Sequence, residues 1–172
     1  MNNLNDDFLR AKRFYEEKHY GESIRHSLMI LRNIRNDVYH STHEHYIVVL
    51  FSIGILMLQN RLYTLCVHFF CDVIVECGAP EPHLWYFWFC ANLNLMTAYT
   101  HSKHKDKAME IATDMEILVK DVIEDERRER FLARLYLQVY SIDRTEAHRR
   151  RCLPYDHYYN AEERLFLAPF LS

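Results

Sequence analysis

Three imidazoles fall within six residues at His40-Ser41-Thr42-His43-Glu44-His45, the densest group of metal-binding side-chain types in this chain. Zinc needs ligands that converge on one point, such as histidine pairs one helical turn apart or Cys-x-x-Cys hairpins. The spacing here fits no helical ligand pair, and no cysteine stands nearby, so the stretch reads as a polar turn between helices. Cys66, Cys71 and Cys77 are five and six residues apart, unlike the Cys-x-x-Cys of redox and zinc sites. The cysteines number five, with 90 and 152 completing the set, and most lie in apolar helical sequence. That predicts reduced, buried thiols rather than disulfides. There is no Gly-x-Gly-x-x-Gly, phosphate loop, Gly-x-Ser-x-Gly or His-Glu-x-x-His. Among the histidines and carboxylates nothing selects one acid–base pair above another. The expectation is therefore a protein that is not an enzyme and needs no cofactor or metal.

Two stretches remain that can act without covalent chemistry. Arg149-Arg150-Arg151, with His148 and Arg144, makes a basic knot. It reads as a solvated face or as ion-pair partners for Glu162 and Glu163, and contact with RNA phosphates is the alternative function it keeps open. The chain as a whole carries a formal charge of −3, which argues against a generic nucleic-acid binder. The second stretch is residues 46–58, Tyr-Ile-Val-Val-Leu-Phe-Ser-Ile-Gly-Ile-Leu-Met-Leu, interrupted only by Ser52 and Gly54. As a helix it would be roughly 20 Å long, short of a hydrocarbon core of about 30 Å. A buried helix is the better reading than a membrane span. Being apolar all round, it must be covered on every side or leave one side for a partner.

The elements around it follow from periodicity and breakers. With 172 residues, 49% hydrophobic, three glycines and four prolines, the chain has material for one well-cored domain and few turn residues for β-structure. Asn5-Asp6-Asp7 offers N-cap candidates before a first helix at Phe8. Ile24, Leu28 and Leu31 mark a second, which fades between Asn33 and Asp37. Ser41-Thr42 precedes the apolar third helix, a fourth runs over 62–77, and Gly78 with Pro80 and Pro82 is the firmest stop. A fifth covers 83–102, a sixth 103–123, a seventh starts in the mixed charges of 124–130, and an eighth runs from Asp143 to Pro154. The aromatic tail 155–172 has a possible last turn at 161–167 and is too apolar to float free: it packs on the repeats or on a partner. The polar, acidic start carries no secretory signal, which predicts a cytoplasmic or nuclear location.

Three segments align without gaps. A small or slim residue (Ala11, Gly54, Met96) is followed twelve positions later by another (Ser23, Cys66, Ala108). Helices that cross closely need small side chains where they touch and a large one to plug the turn. Ile53-Gly54 with Tyr63-x-x-Cys66 and Phe70, Ala11 and Phe14 with Tyr20-x-x-Ser23, and Leu95 and Tyr99 with Ala108 together resemble the tetratricopeptide repeat. The period of 43 and then 42 residues exceeds that family's usual 34 or so, as in its long-period relatives. The resemblance implies an all-α fold, a right-handed superhelix of antiparallel helix pairs. Its repeats would lie at about 5–38, 43–78 and 83–123, with a weak cap at 124–154 carrying Ala147, all in one domain 1–154.

By the same resemblance the first helix of each pair lines a concave groove. The groove would receive Phe8, Lys12 and Tyr15, then Val48, Phe51, Ile55 and Leu58, then Leu93, Thr97 and His101. The lysine–asparagine clamp with which some family members hold a chaperone's C-terminus is missing: those positions hold Phe8 and Lys12, Ser52 and Ile55, Cys90 and Asn94. What the groove has instead is an apolar stripe. The expected function is a non-catalytic adaptor or complex subunit that takes a peptide or amphipathic helix of another protein. A homodimer through the aromatic fifth helix and tail competes with it; nucleic acid and membrane are not expected partners.

Overall fold

Thr42 shows how local chemistry sets the helix boundaries. Its hydroxyl accepts from the His45 backbone N–H at 3.3 Å while the His45 ring accepts the Thr42 N–H at 3.1 Å, a reciprocal cap that starts the apolar helix. The computed structural model describes residues 4–36, 38–39, 41–78, 83–123 and 126–168, and over these the protein is all-helical with no strand. In order come α1 (Leu4–Glu16), α2 (Tyr20–Arg35), α3 (His43–Gln59), α4 (Tyr63–Cys77), α5 (Trp85–His101), α6 (Lys105–Val122), α7 (Glu126–Ile142), α8 (Glu146–Cys152), a 3-10 segment (Leu153–Tyr158) and α9 (Ala161–Leu167). His40, Pro80, Pro82, the acidic pair at 124 and 125, and Phe170 and Leu171 of the tail lie outside the described residues.

The chain divides into two compact units, Met1–Lys103 and His104–Ser172. The stretch 83–123, read from the sequence as one repeat, therefore contributes α5 to the first and α6 to the second. Asp6 and Asp7 do not cap α1. They sit inside its first turn, where carboxylates favour the positive end of the helix. Asp7 is buried there and accepts a 2.5 Å hydrogen bond from the Tyr39 hydroxyl, which in turn accepts from Asn33 Nδ2 at 3.0 Å. Burial, then the Asp7 carboxylate, raises the Tyr39 pKa and keeps the donor proton in place.

In the first unit each helix packs on the next in chain order, and α3 also touches α5. Its core runs through Ile30, Leu31 and Ile34 of α2, Ile47, Leu50 and Ile53 of α3, Phe70 and Val73 of α4, and Trp85, Trp88 and Met96 of α5. The small residues picked out by the repeat lie at close contacts. Ser23 is 1% exposed and donates to the Ala11 carbonyl at 2.8 Å, tying α2 to α1. Gly54 lies against the Phe70 ring so closely that α3 and α4 could not approach as they do with any side chain there.

Three turns share one backbone conformation. Lys18, Arg61 and Lys103 have φ of 61, 60 and 64°, the left-handed region, and they stand 43 and 42 residues apart. Each is followed by a residue in similar torsions, His19 (−85°, 62°), Leu62 (−85°, 58°) and His104 (−102°, 57°), directly before the next helix. At the first two, paired backbone bonds close the turn: Lys18 N–H to Tyr15 and His19 N–H to Phe14, Arg61 N–H to Leu58 and Leu62 N–H to Met57. One turn conformation thus recurs at the spacing of the small-residue pairs.

In the second unit α6 packs on α7, and its buried residues Ala108, Ala112, Met115 and Val119 are spaced to form one stripe. α7 also packs on α8 and on the 3-10 segment. Tyr159 is buried and donates to the Ala133 carbonyl at 3.0 Å, Tyr155 meets Tyr136, and Phe166 meets Tyr140 edge-on. A second reciprocal cap, Asn160 with Glu163, begins α9, and Glu163 also pairs with Arg134. Among the described residues no helix is long and apolar enough to cross a membrane.

Candidate functional site: a cleft between α1 and α3

Although apolar all round, α3 is not covered all round. Ile47, Val49, Leu50, Ile53, Gly54, Leu56 and Met57 are buried, whereas Val48, Phe51, Ser52, Ile55 and Leu58 are half-buried. Those five recur at helical spacing and form one stripe. Opposite it stand Phe8, Lys12 and Tyr15 of α1. Between the two helices lies a cleft of about 420 Å³, floored by Ala11 and by Ser23 and Ser27 of α2.

Of the ten residues expected in a groove, the cleft brings together six: Phe8, Lys12, Tyr15, Val48, Phe51 and Ile55. Leu58 lies beyond it, half-buried at the end of α3. Leu93 and Thr97 are half-buried on α5, with Thr97 donating to the Leu93 carbonyl at 3.0 Å. His101 stacks on Tyr63 of α4, ring centroids 4.8 Å apart and nearly parallel, and so helps to hold α4 to α5. Periodicity along α5 could not show that contact.

The cleft is apolar in its middle, and its polar groups are mostly engaged. Ser52 donates to the Val48 carbonyl at 2.7 Å and Ser23 to Ala11. The Tyr15 hydroxyl accepts from Gln59 Nε2 at 2.9 Å, a strap that sets the spacing of α1 and α3 at their C-terminal ends. Near the other end of α1, Asp7–Tyr39–Asn33 ties that helix to α2 and to the connection before α3. Phe51 closes the deep wall, edge-on to Phe70 at 6.0 Å and to Phe87 of α5 at 5.9 Å. At the rim Lys12 faces Glu16 at 3.7 Å, both largely in water. Sequence reasoning missed Leu9, which is 63% exposed on the crest of α1 and also borders the cleft. The resemblance had placed only the faces of α1 holding Phe8, Lys12 and Tyr15 in the groove.

Of the two readings of the basic knot, a solvated face or pairing with Glu162 and Glu163, the pairing is not the one seen at Arg149, Arg150 and Arg151. Arg149 and Arg150 both pair with Glu146, and Arg149 also donates to the Leu167 carbonyl. Arg151 pairs with Glu116 of α6 and lies over the Tyr136 ring, its guanidinium carbon 4.4 Å from the centroid. Arg144 covers Phe166. Arg144, Arg149 and Arg151 thus tie α8 and its flank to the tail and to α6, while the Arg150 side chain is 73% exposed and, among the described residues, pairs only within α8. His43 and His45 are likewise engaged, His43 with Glu76 of α4 and His45 in the Thr42 cap.

All five cysteines are free; Cys66, Cys77 and Cys152 are buried, Cys71 and Cys90 half-buried. Burial pushes Cys66 up to about 11, and burial with the neighbouring Glu76 does the same to Cys77. Neither thiol is poised as a nucleophile. Compared with known proteins, the chain matches no family, no curated protein and no solved structure.

Proposed function

We propose that the protein is a non-catalytic helical-repeat adaptor, of the long-period kind resembling tetratricopeptide repeats, that seats a segment of a partner protein between α1 and α3. The observation that carries this reading is the half-buried stripe Val48–Phe51–Ile55 on a helix otherwise sealed in the core, facing an open apolar cleft. Burying each such side chain against a partner contributes roughly 1.5–3 kcal/mol before the cost of association. The recurrence of the turn at Lys18, Arg61 and Lys103 supports the repeat reading, since a bundle without repeats has no reason to reuse one backbone conformation at a fixed period.

The test is a Val48→Asp, Ile55→Asp double variant, chosen because both side chains are only half-buried. Far-ultraviolet circular dichroism and the thermal midpoint should stay close to those of the parent protein, while co-purification of cell proteins with the tagged chain is lost. Retention of the same partners by a folded variant would sink the proposal. Phe51 is a poorer choice, because its contacts to Phe70 and Phe87 make it part of the core as well as the cleft wall.

A further inference from the structure

We infer that the occupant of the cleft is an amphipathic helix with an acidic flank, not an extended peptide; this rests on the adaptor reading above and narrows it. The first ground is the state of the polar groups. An extended chain exposes an N–H and a carbonyl at every residue, and those groups must find partners when they leave water. Along the cleft Ser23 and Ser52 are spent on backbone carbonyls and Tyr15 is tied to Gln59, so that among the described residues only the Ser27 hydroxyl on the floor and the Lys12 amine at the rim remain to meet a ligand's polar groups. No asparagine or glutamine side chain lines the middle. A helix brings its backbone bonds with it and asks the cleft only for apolar contact.

Shape gives the second ground. The stripe on α3 repeats at i, i+3 and i+7 over Val48, Phe51 and Ile55, about 10 Å along the helix axis. That matches the rise between anchors at the same spacing on a partner helix, and about 420 Å³ accommodates two or three of its large side chains.

Charge gives the third. Between Glu44 and Arg61 α3 carries no charged residue, so the electrostatic character of the cleft's edge comes from α1. There Leu9 is flanked by Arg10 and Arg13, both exposed and neither in an ion pair among the described residues. With Asp6 they border a smaller hollow that adjoins the cleft through Leu9, on the far side of that residue from Phe8, Lys12 and Tyr15. At the cleft's own rim stands Lys12, its charge offset by Glu16. Carboxylates on the outer flank of a docked helix would meet the Arg10 and Arg13 guanidiniums across Leu9, where Asp6 is the one carboxylate bordering the hollow among the described residues.

The experiment is a selection from a random-peptide display library of about 16 residues per member, run on the intact chain and counter-selected on the Val48→Asp, Ile55→Asp variant. The expected winners carry Leu, Ile or Phe at i, i+3 or i+4, and i+7, have Asp or Glu beside them, and gain helicity on binding. Their affinity should fall about tenfold or more with Arg10→Glu, Arg13→Glu, and the loss should shrink at high salt. Cleft-dependent winners that contain proline, alternate apolar and polar residues, or carry basic flanks overturn the helix proposal and leave the adaptor reading standing. Absence of any cleft-dependent winner overturns both.

Discussion

A Cβ placed on Gly54 would lie 2.7 Å from Cε1 of Phe70, closer than real contacts come. Phe70 is fully buried and held edge-on by Phe51, so its ring has little room to withdraw. Alanine is worth about 1 kcal/mol more than glycine inside a helix, but overpacking a core typically costs about 1–3 kcal/mol. We expect Gly54→Ala to lower stability on balance, by an amount read from urea denaturation. Pairing it with Phe70→Leu should recover part of the loss, and a strictly additive double variant would show that the two residues are not coupled.

The three left-handed turns make the opposite kind of prediction. Lys18, Arg61 and Lys103 are exposed and hold a conformation that side chains disfavour. Replacing each with glycine removes that strain, and a gain of about 0.5–1 kcal/mol per site is expected despite the more flexible unfolded chain. Valine at the same positions should destabilise. Thermal midpoints of the six single variants decide the matter.

Acid should act through Glu116. Burial opposes its ionisation, but hydrogen bonds from Lys120 (2.6 Å), from Arg151 and from the Tyr136 hydroxyl (2.9 Å) outweigh that and hold its pKa at about 2, below the ordinary 4.5. A depressed carboxylate adds stability that is fully present above about pH 4.5 and disappears as pH falls toward about 2. Glu116→Gln should therefore lose stability at neutral pH and flatten the acid limb of the stability profile. An unchanged slope between pH 5 and pH 2 would remove Glu116 from the account.

Thiol labelling offers a quick check of the packing. With maleimide at about pH 8, Cys66, Cys77 and Cys152 should resist modification in the folded protein, and the half-buried Cys71 and Cys90 should react first. All five should label once urea unfolds the chain. Rapid reaction of Cys66 would mean that the α3–α4 contact opens readily.

Much of this architecture could be read from residue order because the informative features are periodic. The apolar run 46–58, the small residues Ala11, Ser23, Gly54 and Cys66, and the cleft-lining Val48, Phe51 and Ile55 all announce themselves at helical or repeat spacing. Tyr39 did not, since it stands between helices where no period applies, and its buried partner Asp7 looked like a cap. The left-handed turns were hidden because lysine and arginine, not glycine, occupy them. Arg151 found Glu116 across 35 residues, a pairing that sequence proximity to Glu162 and Glu163 concealed. The boundary between units at Lys103 was likewise invisible, because the repeat pattern runs through it without a break.

Because α3 is apolar on every side over residues 46–58, the order in which the chain emerges during synthesis matters. Until α4 and α5 have followed it, the segment 46–58 is a sticky length of hydrocarbon with only α1 and α2 to shelter it. Polypeptides cut off anywhere between Gln59 and Lys103 should therefore aggregate or recruit chaperones, and a shortened version made for laboratory work is better ended after α5 than within it.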